Sequence, residues 1–157
     1  MLHTLGRKPW LAPRPRLAVF LAVKDQQRSF VLASDGQESP YMAQSLEAAT
    51  VPLALAIKLP ESAVVAAERL DAAALARAEP ARLNALARMI GGEVPLAGTL
   101  AWSDAALGWI ADWQLLAAGK THRWQVSGVS FDDAFRNALR GAAQVLSGNG
   151  APPDDSR

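Results

Sequence analysis

The segment from residue 91 to residue 147 constrains the fold more than any other part of this chain. It contains three runs with strand-like alternation, at 94–102, 108–117 and 120–127, which carry four of the five tryptophans. An amphipathic helix follows directly. This β-β-β-α ending predicts an antiparallel meander covered by a C-terminal helix. It fixes the fold class without indicating a reaction.

The closing helix has both a start signal and a buried stripe. Ser130 is a good N-cap, and Asp133 three residues later makes a capping-box-like pattern with a carboxylate at the positive helix end. Apolar residues then recur at helical spacing, namely Phe131, Phe135, Ala138, Leu139, Ala142 and Leu146. We expect this stripe to pack on the sheet face that carries Trp109 and Trp113.

Three further strands are predicted upstream of the meander. Residues 17–23, LAVFLAV, are a continuous apolar run, the pattern of a central strand buried on both faces and parallel to its neighbours. Residues 28–34 predict a short hairpin partner. Residues 52–60, PLALAIKLP, have a proline at each end and predict a second parallel strand of about five or six residues.

Helices are predicted between these strands. One covers 38–50, and alanine and leucine make helix the natural interpretation of 61–90. Asp71 is a good N-cap, and Pro80 fits the first position of a helix but not its interior. We therefore expect two or three short helices in this region, the last ending at the glycine pair 91–92.

The predicted fold class is α/β with an α+β-like ending. The elements follow the order β-α-β-α-β-β-β-α, without counting the hairpin partner. They form a mixed five-stranded sheet in the order 2-1-3-4-5, with helices packed on it. We expect a basic, proline-rich arm over 1–16, a single domain over 17–147 and a flexible tail over 148–157.

Composition excludes several classes of function. The 157 residues include no cysteine, which rules out disulfides, thiol catalysis and cysteine-ligated metals. The net charge of +1 gives no indication of nucleic-acid binding. No run approaches the ~20 apolar residues of a membrane-spanning helix, and residues 1–16 lack the apolar core of a signal peptide.

Five residues of the meander are candidates for ligand or interface contacts. Trp109, Trp113 and Trp124 would suit an aromatic platform for a sugar or a base, although packing under the last helix is the favoured interpretation. His122 is expected beside Asp112 of the neighbouring strand. An ordinary cross-strand polar contact is favoured there over a functional pair.

No catalytic, cofactor-binding or metal site is predicted. His3 and His122 are the only histidines, and neither has a second ligand at helical or hairpin spacing. Asp132 and Asp133 are explained by their place in the first turn of a helix. Because no nucleophile–base or paired-acid constellation can be assembled, an enzyme is the least expected class.

Four motifs, in chain order, carry a resemblance to a known family: LGRKPWLAPRPRLAVFLAV, VPLALAIKLP, GGEVPLAGTLAWSDAALGWIADWQLLAAGKTHRWQ and SFDDAFRNALRGAAQVLS. They resemble the opening segment, a buried strand, the tryptophan-containing strands and the closing helix of the C-terminal half of the proteobacterial domain of unknown function 2066. The resemblance covers residues 5–147. It departs from the family pattern at Gly92 and Glu93, where an aromatic residue and an aspartate are usual.

The element order is more distantly similar to the N-terminal domain of the Tol-system β-propeller protein and to lipoproteins that regulate peptidoglycan synthases. These resemblances imply a non-enzymatic interaction module of the bacterial cell envelope, periplasmic or envelope-associated, with a protein partner. A homodimer through a sheet edge is one further arrangement. A cytoplasmic location stays open, because residues 1–16 contain no signal peptide.

The alternative function is a small-molecule or glycan binder that uses the tryptophan-rich hairpin. An open pocket lined by Trp109 or Trp113 would favour this binder. An exposed apolar patch or sheet edge would instead favour the interaction module.

Overall fold

The computed structural model describes residues 15–36, 40–117 and 119–147. Its six strands are β1 Arg16–Lys24, β2 Ser29–Val31, β3 Ala56–Lys58, β4 Val94–Ser103, β5 Gly108–Ala117 and β6 Lys120–Val129. They form a mixed sheet in the order β2-β1-β4-β5-β6, with β3 also paired to β1.

Strand β1 lies in the interior of the sheet, as its apolar run predicted. It pairs in parallel with β4 along 17–24 and with β3 along 16–18. All seven residues from 17 to 23 are buried, and Val19 is only 1% exposed. A strand covered on both faces and both sides has no solvent-facing position, which explains why the run contains no polar residue.

The predicted α/β class is confirmed, and the strand order differs in detail. We expected a single strand beside β1 on its outer side, but β2 and β3 share that side at opposite ends of β1. The prediction of a strand over 52–60 is wrong in its extent. A 3₁₀ turn at Val51–Leu53 and a left-handed Ala54 with φ of 52° occupy its first half. Only Ala56–Lys58 pairs with the sheet.

Helices cover both faces of the sheet and give a three-layer architecture. They are α1 Pro40–Thr50, α2 Ser62–Ala67, α3 Ala72–Arg77, α4 Pro80–Met89 and α5 Phe131–Leu146. Helices α1 and α5 pack on one face and on each other, whereas α3 and α4 pack on the other face. The start predicted for α1, at residues 38–39, lies outside the described residues.

The predicted helix ends are confirmed at three places. The Asp71 side chain accepts a hydrogen bond from the Ala74 backbone N–H at 2.7 Å and caps α3. Ser130 Oγ accepts one from the Asp133 N–H at 3.1 Å and caps α5. Gly91 adopts a left-handed φ of 84° just beyond α4, the conformation in which glycine commonly ends a helix.

The expected contact between α5 and the meander is also confirmed. Phe135 and Leu139 are fully buried in the same apolar cluster as Trp113. Phe131 and Trp109 pack against the margin of that cluster and are partly buried. The helix and the strands each had one apolar face, so each buries the other.

The opposite face is only half covered. Its apolar cluster joins Phe20 of β1 to Leu75 of α3 and to Leu83 and Leu86 of α4. Ala97 of β4 belongs to this cluster, but β6 contributes nothing to it. The outer part of this face, across β4, β5 and β6, is therefore left without a covering helix in the described structure.

Two predicted regions lie largely outside the described residues. The tail at 148–157 does so completely, and the arm at 1–16 does so except for its last two residues. Arg16 is already the first residue of β1. Within the described ranges, no helix has the length and apolar character required to cross a membrane.

Candidate functional site

Two of the three predicted tryptophans lie in the core beneath α5. Trp113 and Trp124 pair across β5 and β6, and each is 2% exposed. Trp124 Nε1 donates a hydrogen bond to Asn137 Oδ1 of α5 at 3.1 Å. A stacking platform needs an open ring face, so neither of these rings supplies one.

Trp109 lies at the rim of the same face. It is partly buried and makes an edge-on contact with Trp102, their ring centroids 5.5 Å apart. Trp102 is 40% exposed, and its Nε1 donates a hydrogen bond to Asp104 Oδ1 at 2.8 Å. The more exposed aromatic residue of the meander is thus Trp102, which the sequence did not single out as a site residue.

The expected neighbourhood of Asp112 and His122 is wrong. In the β5–β6 register Asp112 is opposite Gln125, whereas His122 is opposite Leu115. Residues that differ by an odd number along a strand point to opposite faces. His122 therefore shares a face with Trp124, and Asp112 lies on the other side of the sheet.

Asp112 belongs instead to a polar surface on the half-covered face. In one row across the sheet, Thr99, Asp112 and Gln125 are consecutive partners on β4, β5 and β6. In the adjacent row Gln114 lies between Ala97 and Arg123. Period-2 alternation along β5 puts Asp112 and Gln114 on one face of the sheet. The β5–β6 register adds Gln125 and Arg123 to the same face.

A cleft of about 410 Å³ lies over these rows. The sheet is its floor, and Leu75 and Ala76 of α3 form its wall. Trp113 and Trp124 also border it. Because their side chains pack beneath α5 on the opposite face, their contribution here comes from the backbone. The cleft exists because α3 and α4 stop short of β5 and β6.

The cleft contains one negative and one positive side chain, both exposed. The Asp112 carboxylate accepts a hydrogen bond from the Gln125 side-chain amide, which fixes its orientation. Within the described structure, Arg123 forms no ion pair or side-chain hydrogen bond, and no ion pair joins it to Asp112. Gln114 and Thr99 add neutral polar groups between them.

Strand β6 forms one border of this cleft and one edge of the sheet. It pairs with β5 on one side and with no other strand of the described chain. Near its end, a β-bulge interrupts the register where residues 127 and 129 oppose Ile110 and Trp109. Gly128 in this bulge has a φ of 71°, a conformation that suits glycine.

The carboxylates with clearly lowered pKa values lie away from the cleft. Hydrogen bonds from Ser62 hold the pKa of Asp35 below its usual value. Backbone N–H groups of Gln27 and Arg28 do the same for the pKa of Asp25. The Arg136 side chain lowers the pKa of Asp133. All three carboxylates stabilise turns or helix starts, so these shifts do not indicate a catalytic group.

No cluster of three or more histidine, aspartate or glutamate side chains within the described ranges is placed to hold a metal ion. The polar groups of the cleft are one carboxylate, two amides, one hydroxyl and one guanidinium. Such a set suits recognition by hydrogen bonds and ion pairs.

The fold and cleft define an α/β domain with a half-covered polar face, in which β6 pairs only with β5 among the described strands. No family model, curated protein or solved structure matches the chain. The resemblance to the proteobacterial domain family therefore stays a prediction, and the functional argument depends on the geometry of this chain.

Proposed function

We propose that this domain is a non-catalytic interaction module that binds an extended acidic segment of a partner protein along β6. One observation carries the proposal: β6 has ten residues and pairs on one side only within the described chain. The outer side of such a strand, here over residues 120–124, is a template on which an extended peptide can add a further strand.

The other side of the sheet is a much poorer template. Its outer positions are occupied by β2 and β3, which have three residues each and pair with opposite ends of β1. Neither is long enough to align an incoming strand over more than a few residues. Edge docking is therefore expected at β6.

The charge of β6 defines the chemistry of the partner. The strand contains Lys120, Arg123 and His122 and no acidic residue. An incoming segment with acidic side chains would place opposite charges across the new pair. Pairing with a second copy would instead bring together two strands that are both basic, so the acidic partner is favoured over a homodimer.

The end of β6 limits where a partner can pair. The bulge at Gly128 disrupts the ladder and increases the local twist, a common protection of edges against indiscriminate pairing. The regular part of the strand from Lys120 to Trp124 is the expected docking stretch. Its basic side chains lie in this part.

The cell envelope as the location of this partnership is supported by the family resemblance alone. Fractionation of proteobacterial cells that express the complete gene product tests it. Recovery with periplasmic or membrane fractions is the expected result. Recovery only with the cytosol would contradict the envelope placement without affecting edge docking.

The docking proposal is tested with two designed peptides of equal length. One alternates glutamate with valine, and the matched peptide alternates lysine with valine. Amide hydrogen exchange is followed by NMR for the free protein and with each peptide. The glutamate peptide should slow exchange at the amides of β6, and the lysine peptide should leave them unchanged.

Two charge reversals provide matched variants. Lys120→Glu on β6 should weaken binding of the glutamate peptide several-fold. Arg88→Glu, at an exposed position of α4, makes the same change of charge away from the edge and should not. Protection confined to β2 and β3, or none with either peptide, would contradict the proposal. A dimer that the Lys120→Glu change strengthens would point to a second copy as the partner.

A further inference from the structure

We infer that the cleft on the half-covered face is a binding site for a small zwitterion, an α-amino acid with an apolar side chain. This inference does not require docking at β6, although Arg123 takes part in both. It depends on Asp112 and Arg123, which are diagonal neighbours in the cleft and have opposite charges. It also depends on the apolar wall that α3 places beside them.

The size of the cleft suits a small molecule. Its volume of about 410 Å³ falls within the range of roughly 300–1,000 Å³ that is typical of ligand pockets. The sheet gives it a rigid floor, because its residues come from three paired strands. Side chains on such a floor are held in fixed relative positions, which favours a defined ligand.

The two charged residues are diagonal neighbours on β5 and β6. Asp112 is opposite Gln125, and Arg123 is two residues before Gln125. Diagonal neighbours of this kind have Cα atoms about 7–8 Å apart. No ion pair joins Asp112 to Arg123 in the structure. A ligand between them can therefore meet both charges at once.

This arrangement selects for a ligand with both signs of charge. The Arg123 guanidinium can donate two parallel hydrogen bonds to a carboxylate. Asp112 already accepts one bond from Gln125 and has a second oxygen available for an ammonium group. A ligand with only one charge would satisfy one of these residues and bring the other close to an uncharged group.

The apolar wall indicates the class of side chain. Leu75 and Ala76 of α3, together with Ala97 of β4, line the cleft beside the charged pair. A ligand side chain directed at this wall would gain by leaving water, whereas a charged side chain would lose hydration there. Leucine is therefore the natural probe, and glutamate is the matched amino acid that should bind more weakly.

The experiment uses NMR titration of the complete chain with L-leucine and two derivatives. N-acetyl-L-leucine retains the carboxylate but not the ammonium charge, and L-leucine amide retains the ammonium but not the carboxylate charge. Leucine should shift the amides of residues 97–99, 112–114 and 123–125. Each derivative should bind several-fold more weakly, the effect of losing one ion pair at an exposed site.

Two variants assign the roles of the charged residues. Asp112→Asn should lower the affinity for leucine to the affinity that the original protein has for N-acetyl-L-leucine, and should leave the affinity for that derivative unchanged. Arg123→Gln should lower the affinity for leucine to that for L-leucine amide, and should leave the affinity for L-leucine amide unchanged. Both changes are at exposed positions, and unchanged dispersion of the NMR spectrum confirms that each variant folds.

Several outcomes would overturn the inference. These are no shift with any of the compounds, shifts confined to another surface, or equal affinity for leucine and both derivatives. Lys120→Glu distinguishes this site from the edge, because it should impair the acidic peptide and leave leucine binding unchanged. If the acidic peptide failed to bind, leucine binding to the cleft would still be a valid result. If leucine failed to bind, docking of the peptide at β6 would be unaffected.

Discussion

Gly98 of β4 is paired with Trp113 of β5, and a Cβ atom added to Gly98 would lie 2.3 Å from Cε3 of the tryptophan ring. The largest side chain of the core thus occupies the space beside the one residue of its partner strand that has no side chain. A second pair repeats the relationship, since Trp124 lies similarly close to Gly141 of α5.

Gly98→Ala should destabilise the fold by about 1–3 kcal/mol, the usual effect of overpacking. In a strand without such a neighbour, the same change would be stabilising by about 0.5–1 kcal/mol because glycine is costly to order. Urea denaturation measures the difference. In a Trp113→Leu background the cost should fall without vanishing, because the ring clash is gone but the added Cβ still lies 2.9 Å from the Asp112 carbonyl oxygen. An equal cost in both backgrounds would contradict the pairing.

Gly141→Ala tests the second pair, because the expected effect on stability has the opposite sign to that of an ordinary glycine-to-alanine change in a helix. Alanine in a helix is normally favoured over glycine by about 1 kcal/mol. Here the new methyl carbon would lie 2.5 Å from Cζ2 of Trp124, so the substitution should destabilise instead. Chemical denaturation of the single variant, and of the same change made with Trp124→Leu, separates the clash from the helix propensity. A stabilised single variant would show that the ring moves freely.

The parts of the fold that the sequence predicted correctly are those with local signals. Ser130 and Asp71 cap their helices through hydrogen bonds within the next three residues, so a short window contains the whole cause. The apolar run at 17–23 likewise indicates its own burial. Ala54 gave no such signal. Its left-handed conformation is unusual for alanine, and it follows the 3₁₀ turn that replaces half of the expected strand.

The candidate site was predictable only in part. Ala117 pairs with Lys120, and counting back from that pair places Gln125, not His122, opposite Asp112. A hairpin register of this kind follows from the sequence spacing alone, so the expected neighbourhood of Asp112 and His122 conflicts with a local signal. The cleft itself could not be predicted from the sequence. It depends on where α3 settles on the sheet, which is a matter of tertiary packing that no local pattern contains.

Phe135→Ala should reduce stability by about 3–5 kcal/mol, the usual cost of emptying a buried aromatic site. Phe135 of α5 is fully buried in the core, and its ring centroid lies 5.9 Å from that of Phe131. Phe131→Ala at the half-buried margin is the matched variant and should cost clearly less. If urea denaturation gave similar losses of unfolding free energy for the two variants, Phe135 would not lie at the centre of the core with Phe131 at its margin.

Asp35→Ala should show a loss of stability that depends on pH. The Asp35 carboxylate accepts hydrogen bonds from Ser62 at its backbone N–H and Oγ, at 2.7 Å and 2.8 Å, and these bonds favour the charged form. The pKa of Asp35 in the folded protein is consequently lower than the ordinary value of 3.8. A lowered pKa means that the stabilisation is complete above 3.8 and is lost as the pH falls through the folded-state pKa.

The difference in urea midpoint between the original protein and Asp35→Ala should therefore be largest near neutral pH and shrink on acidification. Glu79→Ala serves as the control, because Glu79 is the N-cap residue of α4 but its side chain makes no capping hydrogen bond. In the Ser62→Ala variant, the Asp35 pKa measured by NMR should rise toward its ordinary value. A difference between the original protein and Asp35→Ala that stayed constant into acid would mean that the carboxylate and Ser62 are not bonded in solution.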